Sequence, residues 1–194
     1  MKRMLGVGVM IAASMAVTAC SLLPALPAPT PSAIASASST DDISLGLTRY
    51  SPEDRKPVTG VTGTTLDGKQ LDISSLRGRV VVINAWASWC DPCQEELPVL
   101  VSVANSSDPK SVSLVGLDVN DTLDAANAMV KKFAIPYPSI IDKGARLLVH
   151  VPGVPPEAIP STVVLDRQGR VAARVIGTVK PGMLEPVIAE LQAE

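Results

Sequence analysis

The chain has 194 residues, of which 46% are hydrophobic, and a formal net charge of -2. That length suits one ordinary domain with appendages, large enough to fold without disulfide cross-links. Three cysteines, at positions 20, 90 and 93, are too few for a disulfide framework, and the acidic balance without any run of Lys or Arg argues against a nucleic-acid-binding domain.

The N-terminus has the layout of a lipoprotein-type secretory signal. Lys2 and Arg3 form a short basic region, and an apolar run then leads to Cys20. Val17-Thr18-Ala19-Cys20 resembles a bacterial lipobox, which implies cleavage after residue 19 and lipidation of Cys20. An ordinary cleaved signal with an incidental cysteine is the alternative. We therefore expect a signal peptide at 1–19 and a lipid anchor that holds the protein on the extracytoplasmic side of the cell membrane.

A flexible tether is predicted after the signal. Residues 21–40 consist mostly of Ser, Ala, Pro and Thr and contain no charged side chain. Such a stretch has too little apolar surface to fold. Because the residues beyond it show no sustained hydrophobic period, we extend the linker over 20–56 and begin the folded domain at Pro57, which gives a domain at 57–194.

Hydrophobic patterning in the remaining residues alternates between strands and helices. Asp67-Gly68 predicts the turn of a β-hairpin. The apolar runs beyond it predict strands at 79–86, 112–119, 161–166 and 170–176, and helices at 94–105, 122–134 and 181–191. We predict a loop for Ile135 to Ala158, which carries five prolines. This order indicates an α/β domain with a mixed central β-sheet flanked by helices and an N-terminal hairpin extension.

The predicted chemistry is concentrated in a Cys-x-x-Cys motif. Cys90 and Cys93 follow a buried strand and open a helix, which brings their sulfurs within bonding distance. The helix N-terminus favours a thiolate at the first sulfur, so we predict that Cys90 attacks and that Cys93, one turn inside, resolves the mixed disulfide. Pro92 fixes φ in the first turn. Asp91 opposes the Cys90 anion slightly, because like charges repel.

Three other interpretations of these cysteines compete. A structural zinc site needs about four soft ligands, whereas the chain offers two thiols and the distant His150. A structural disulfide closing so small a loop would add little stability. A nucleophilic Cys90–His150 pair has no sequence feature that brings the two side chains together. We therefore predict no metal and no organic cofactor, only a redox-active Cys90–Cys93 disulfide.

Residues 78–98 read Gly-Arg-Val-Val-Val-Ile-Asn-Ala-Trp-Ala-Ser-Trp-Cys-Asp-Pro-Cys-Gln-Glu-Glu-Leu-Pro. They resemble the active-site block of one family. It comprises the thioredoxin-fold thiol:disulfide oxidoreductases of the TlpA, ResA and DsbE (CcmG) type. The similarity continues through Ile159-Pro160-Ser161-Thr162 and Leu165 to Arg170, in the family's order and spacing. The resemblance implies a thioredoxin-like fold over most of residues 58–194.

The resemblance also implies that the Ile159–Pro160 bond is cis and lies against the cysteines, leaving a backbone edge free to pair with a bound peptide. Without it, a trans proline at a loop-to-strand boundary would be the default. Trp89 is expected to form an apolar wall beside Cys90. The predicted substrate contacts are therefore Trp89, Pro92, Ile159 and Pro160.

Proton handling is assigned to one acidic side chain. Glu96 falls at the family's acidic position, where a partly buried carboxyl would have a raised pKa and exchange protons during the reaction. A solvated glutamate on the helix face is the alternative. Asn84 stands where thioredoxin itself has a buried aspartate, which leaves this role to Glu96 or to water.

These features predict a membrane-tethered thiol:disulfide oxidoreductase that exchanges disulfides with protein thiols through Cys90. The resemblance implies work in cytochrome c maturation as a reductant, or in oxidative folding as an oxidant, and a membrane redox donor or acceptor as second partner. We expect a monomer and no nucleic-acid partner. A non-catalytic lipoprotein binding module on the same scaffold is the alternative. A copper chaperone would need a further Met or His ligand that the sequence does not place.

Overall fold

A computed structural model describes residues 46–194. The predicted signal peptide at 1–19, Cys20 and the first part of the predicted linker therefore lie outside the described residues. Between residues 46 and 194, no helix combines the length and the hydropathy needed to cross a membrane.

Eight strands in residues 46–194 form two sheets. They are β1 (Leu47–Arg49), β2 (Thr62–Thr64), β3 (Gln70–Asp72), β4 (Val80–Trp86), β5 (Val112–Val119), β6 (Ser139–Asp142), β7 (Ser161–Leu165) and β8 (Val171–Ile176). Strands β2 and β3 pair as the predicted hairpin. The others form a six-stranded sheet in the order β1-β8-β7-β4-β5-β6, with β4, β5 and β6 parallel to one another and the remaining neighbours antiparallel.

In the part of the chain that the structure describes, three α-helices connect or follow these strands: α1 (Asp91–Ser106), α2 (Leu123–Phe133) and α3 (Leu184–Ala193). Helix α1 begins at Asp91 rather than at the predicted Gln94, because Cys90 caps it and a proline occupies its first turn. Thr122 caps α2 by accepting the Ala125 N–H at 3.3 Å.

The core lies on both faces of β4, whose seven residues are all buried. Val80, Val82 and Trp86 belong to a cluster that also holds apolar residues of all three helices, including Leu97, Met129 and Leu184. Val81, Ile83 and Ala85 belong to a second cluster on the opposite face of the sheet. Residues around the hairpin and after β6 complete this cluster, including Val58, Ile73, Leu148 and Val154. Burial on both faces explains why this strand is a near-continuous apolar run, interrupted only by Asn84. The mixed α/β thioredoxin-like fold is confirmed.

The folded domain begins earlier than predicted. Strand β1 pairs with β8, with Leu47 opposite Val175. Arg55 is buried and donates to both side-chain oxygens of Glu194 at 2.7 and 2.8 Å and to Asp166 at 3.3 Å. The predicted linker end at residue 56 and domain start at Pro57 are therefore wrong. A three-residue strand is too short to show a period, and its pairing with β8 and the burial of Leu47 stabilise it.

The loop predicted from Ile135 to Ala158 is wrong in part, because Ser139–Asp142 forms β6. Prolines at 136 and 138 hide this strand from pattern analysis, although the carbonyl of Pro138 accepts the Gly116 N–H at 2.9 Å. The Asp142 carboxylate then accepts the N–H groups of Leu147 and Leu148, each at 2.9 Å. These bonds fix the turn that follows β6.

Gly116→Ala is expected to destabilise the fold by about 1–3 kcal/mol, because β5 has no room for a side chain at that position. A Cβ there would overlap Ser139 Oγ and lie 2.5 Å from Trp86 Nε1. These two atoms hydrogen-bond to each other at 3.3 Å, and the indole is fully buried. Urea unfolding followed by circular dichroism measures the loss. Adding Ser139→Gly relieves the overlap with the hydroxyl and should recover part of it; an unchanged midpoint for Gly116→Ala would contradict the packing.

Candidate active site

The ends of four strands meet at one edge of the large sheet. Trp86 closes β4 opposite Asp118 of β5, and Val119 closes β5 opposite Asp142 of β6. Strand β7 runs the other way, so its first residue, Ser161, lies opposite Ala85. The chain segment before Cys90, the Pro160 turn and the ends of β5 and β6 are therefore neighbours, as expected where the parallel strands of an α/β sheet end.

Cys90 and Cys93 are joined by a disulfide with an S–S distance of 2.04 Å. Cys90 is the N-cap of α1, and its Sγ accepts the backbone N–H of Cys93 at 3.3 Å. Cys90 is 6% exposed and Cys93 is 0% exposed. The sulfur that a partner can reach is thus the one at the positive end of the helix dipole, where a thiolate is stabilised. Asp91 and Pro92 are exposed in the first turn.

The turn before Cys90 is held by a residue that the sequence did not single out. Asp121 accepts the Ser88 N–H at 2.5 Å and the Ser88 hydroxyl at 2.8 Å. The Gln94 side chain, from the first turns of α1, donates to the Ser88 carbonyl at 3.0 Å. Backbone and side chain of Ser88 are therefore both fixed, and with them the direction from which the chain enters α1. We call residues 87–89 the Ser88 turn.

The Ile159–Pro160 peptide bond is cis, which confirms the implication of the family resemblance. The carbonyl of Pro160 accepts the N–H of Gly177 at 2.9 Å. Ile159 packs against the hydrophobic cluster that contains both Cys90 and Cys93. The predicted cysteine pair and the residue before the cis proline thus belong to one part of the molecule.

A groove of about 410 Å³ lies beside the Ser88 turn. The Trp89 side chain is 59% exposed, and its indole N–H donates to the carbonyl of Asn120 at 3.2 Å. The groove is lined by Trp89, Val119, Asn120, Gly144, Ala145, Pro156, Glu157 and Ile159. Of the four predicted substrate contacts, Trp89 and Ile159 line this groove, whereas Pro92 and Pro160 do not. Its other wall comes from the segment after β6.

Glu96 is 0% exposed, so the alternative of a solvated glutamate is wrong. Its Oε1 accepts from Asn84 Nδ2 at 2.7 Å and its Oε2 accepts the Val179 N–H at 2.8 Å. Burial raises the pKa of Glu96 to about 7, although these two hydrogen bonds and the charge of Lys180 act in the opposite direction. A carboxyl with a pKa near 7 can take up or release a proton at neutral pH.

The surroundings of Glu96 contain unused hydrogen-bonding capacity. Asn84 also donates to Thr162 Oγ1 at 3.0 Å, while its own Oδ1 has no partner, and neither has the buried hydroxyl of Tyr137. Burial, and then the charge of Glu96, raise the pKa of Tyr137. Rotation of the Asn84 amide would present Oδ1 to a protonated Glu96, so the cluster accommodates both charge states. Nothing in the sequence around Tyr137, which lies between two prolines, indicated that its side chain is near Glu96.

Asp118 is a second buried carboxyl that the sequence analysis missed. It is 1% exposed at the end of β5. Burial, followed by the charges of Asp121 and Asp142, raises its pKa to about 7. In the sequence it stands between Leu117 and Val119 in an apolar strand, where nothing indicates that two further carboxylates face it.

The predicted alternatives that involve His150 gain no support. Its side chain is exposed and lies beside Gly60, which precedes the hairpin. Within residues 46–194, no three His, Cys, Asp or Glu side chains are placed to hold a metal ion.

The free energy of unfolding is expected to fall between pH 5 and pH 8. Glu96 and Asp118 have pKa values of about 7 in the fold against 4.5 and 3.8 as reference values, so over this range the folded state retains protons that the unfolded chain has released. Each group should therefore remove up to about 3 kcal/mol as the pH rises. Urea unfolding at both pH values measures the change. Glu96→Gln and Asp118→Asn should each reduce the slope, and a flat wild-type profile would contradict both shifts.

Comparison with known proteins finds a family profile that matches most of the chain and a relative with a similar sequence. The Redoxin family profile matches residues 51–191. A relative, the thiol-disulfide oxidoreductase ResA of Bacillus cereus, is 30% identical over 128 residues, which cover 66% of this chain and 72% of ResA.

Two solved structures are also similar. A DsbF homologue from Corynebacterium diphtheriae superimposes with a TM-score of 0.71 at 33% identity, over 75% of this chain and 92% of that one. A secreted thiol-disulfide isomerase from Corynebacterium glutamicum gives a TM-score of 0.69 at 30% identity, over 77% and 93% of the two chains.

Proposed function

Because the chain belongs to the Redoxin family and is a thiol:disulfide oxidoreductase of the ResA and DsbE type, we propose that it exchanges disulfides with other proteins through Cys90 while tethered to the extracytoplasmic side of a membrane. The observation that carries the exchange chemistry is the Cys90–Cys93 disulfide at the N-terminus of α1, in which Cys90 is 6% exposed and Cys93 is 0% exposed. The proposed membrane location is argued from the leader sequence, whose lipobox-like residues end at Cys20.

In the reductive direction, the Cys90 thiolate attacks one sulfur of a substrate disulfide, and the other substrate sulfur leaves as a thiolate. The Cys93 thiolate then attacks Cys90 Sγ, which releases the second substrate sulfur and forms the Cys90–Cys93 disulfide. Two electrons pass from the enzyme dithiol to the substrate. Glu96, one helical turn beyond Cys93, accepts the proton that Cys93 loses. The oxidative direction reverses every step.

The groove beside Trp89 is the proposed binding site for the substrate segment that carries the reacting cysteine. Two of its lining residues, Trp89 and Ile159, flank the motif and the cis proline respectively. The exposed indole offers a large apolar contact with few rotatable bonds, which suits a peptide-binding surface. Pro156 and Glu157 bring the segment after β6 to the same groove. That segment is therefore the proposed determinant of partner choice.

Membrane attachment through Cys20 is tested by fractionating cells that express the full chain. A lipidated Cys20 should place the protein in the membrane fraction, and mass spectrometry of the N-terminal peptide should show acyl chains on that residue. Cys20→Ala should release the protein or leave its leader uncut. A soluble wild-type protein with an unmodified N-terminal peptide would refute the anchor.

The direction of electron flow decides between the two proposed processes. A reduction potential of about -120 mV would make the protein an oxidant suited to oxidative folding, and one at or below about -270 mV a reductant suited to preparing apocytochrome c thiols. Equilibration of the Cys90/Cys93 couple with glutathione or dithiothreitol buffers measures it.

A further inference from the structure

The Ser88 turn is held by a carboxylate that has acidic neighbours. Asp121 accepts both Ser88 hydrogen bonds and also the N–H of Thr122 at 2.8 Å. Asp118 lies at the end of β5 within hydrogen-bonding reach of the Asp121 side chain. Asp142, at the end of β6, also faces Asp118. Three carboxyl groups from β5, the segment before α2 and β6 therefore converge behind the turn.

The hydrogen bonds distinguish the three carboxyl groups. Asp121 and Asp142 accept backbone N–H groups with both of their oxygens. Asp118 is almost completely buried, and its Oδ1 has no partner. Among the described residues, none of the three forms an ion pair with a cation. Burial and the charges of Asp121 and Asp142 raise the pKa of Asp118, so it is the carboxyl of the three that would hold a proton, and its hydroxyl would donate to Asp121.

We propose that Asp118 and Asp121 share one proton and act as positioning residues for thiol exchange, with Asp121 holding the Ser88 turn that presents Cys90 and neutral Asp118 allowing that carboxylate to remain beside it. Neither residue touches a reacting atom. The inference rests on the exchange chemistry of Cys90, and it is independent of the proposed membrane location and of any particular substrate.

Two effects of this pair can be separated. Loss of the Asp121 carboxylate frees the Ser88 turn, so Cys90 no longer holds its cap position against the Cys93 N–H, and thiolate reactivity falls at every pH. Loss of the Asp118 proton adds a negative charge behind the turn, which opposes the Cys90 thiolate only at higher pH. The raised pKa of Asp118 places that second effect near neutrality.

The rate of Cys90 alkylation by iodoacetamide tests the pair without a substrate protein. The full chain is used with Cys20→Ala and Cys93→Ser, which leave Cys90 as the only thiol, and with Glu96→Gln, which removes the other carboxyl that titrates near neutrality. In this background, Asp118→Asn should react like its parent below about pH 6. At a pH where Asp118 is ionised and Cys90 is still mostly a thiol, it should react about threefold faster, as half a pKa unit of the thiol corresponds to that factor. A ratio that is constant with pH would overturn the proton-sharing pair.

Asp121→Ala separates positioning from charge. Below the Cys90 pKa, removal of a negative charge alone would speed alkylation, whereas release of the turn should slow it by about tenfold, the effect of one pKa unit. Asp124→Ala is the matched control: it removes an exposed carboxylate from the first turn of α2, which makes no bond to Ser88, and it should change the rate less than twofold. Asp121→Asn, which keeps one acceptor for the Ser88 N–H, should restore part of the rate.

A rate for Asp121→Ala that equals or exceeds that of the control would overturn the positioning role. If circular dichroism shows that Asp121→Ala does not fold, the pH profile of Asp118→Asn decides the proposal by itself. Reduction of insulin by the otherwise wild-type chain, measured in parallel, reports the exchange activity separately.

Discussion

Cys90→Ser is expected to reduce the rate of insulin-disulfide reduction to the uncatalysed background. The thiolate is the nucleophile of disulfide exchange, and Cys93 is fully buried, so no second sulfur among the described residues can replace Cys90 at the surface. The fold should persist, because Cys90 contributes one small side chain at a helix end. Circular dichroism confirms the fold, and insulin turbidity measures the rate.

Cys93→Ser is the matched counterpart and should behave differently. It leaves the attacking sulfur intact and removes the resolving one, so partners should accumulate on Cys90 as mixed disulfides that reductant releases. The double variant Cys90→Ser/Cys93→Ser controls for non-specific capture. If Cys90→Ser retained activity, or if Cys93→Ser captured no more protein than the double variant, a non-catalytic module would explain the molecule better than an exchange enzyme.

Glu96→Gln is expected to slow the resolving step by about a hundredfold, the lower end of what a positioned general base contributes. The buried carboxylate is placed to take the proton from Cys93, and a carboxamide cannot. Glutamine suits the site better than alanine, which would leave the Asn84 amide and the Val179 N–H unpaired in the core. Rotation of the Asn84 amide would let its free Oδ1 accept from the new side chain.

The decay of a preformed Cys90 mixed disulfide, followed by mass spectrometry from pH 5 to 9, measures this effect. The wild-type rate should rise through about pH 7 as Glu96 ionises, and the variant should lack that rise. Glu95→Gln makes the same charge change at the exposed neighbouring position and should leave the profile unaltered. Identical profiles for Glu96→Gln and the wild type would leave proton handling to water.

Elements that bury two apolar faces were predictable from the sequence. Strand β5 has the predicted bounds, and β4 differs by one residue, because a run of buried aliphatic residues needs no knowledge of its neighbours. Strands β1 and β6 were not predictable. They have three and four residues, lie at the two edges of the sheet, and form only where a distant strand offers its backbone.

Site residues that lie close together in the sequence were likewise predictable, whereas those that only the fold brings together were not. Cys90, Cys93 and Glu96 follow one another along one helix, so spacing and family resemblance together identify them. Asp121 lies 33 residues from its partner Ser88, and only the parallel pairing of β4 with β5 joins them. Asp118 is likewise hidden, because its significance depends on carboxylates that the topology supplies.

Trp89 gives this protein an optical reporter of its own chemistry. The chain has two tryptophans, and Trp86 is sealed in the core while the Trp89 indole is largely in solvent directly before Cys90. A disulfide quenches fluorescence from an adjacent indole, so emission should brighten on reduction and change again when a peptide occupies the groove. In a Trp86→Phe variant, stopped-flow fluorescence would follow both events without an attached dye.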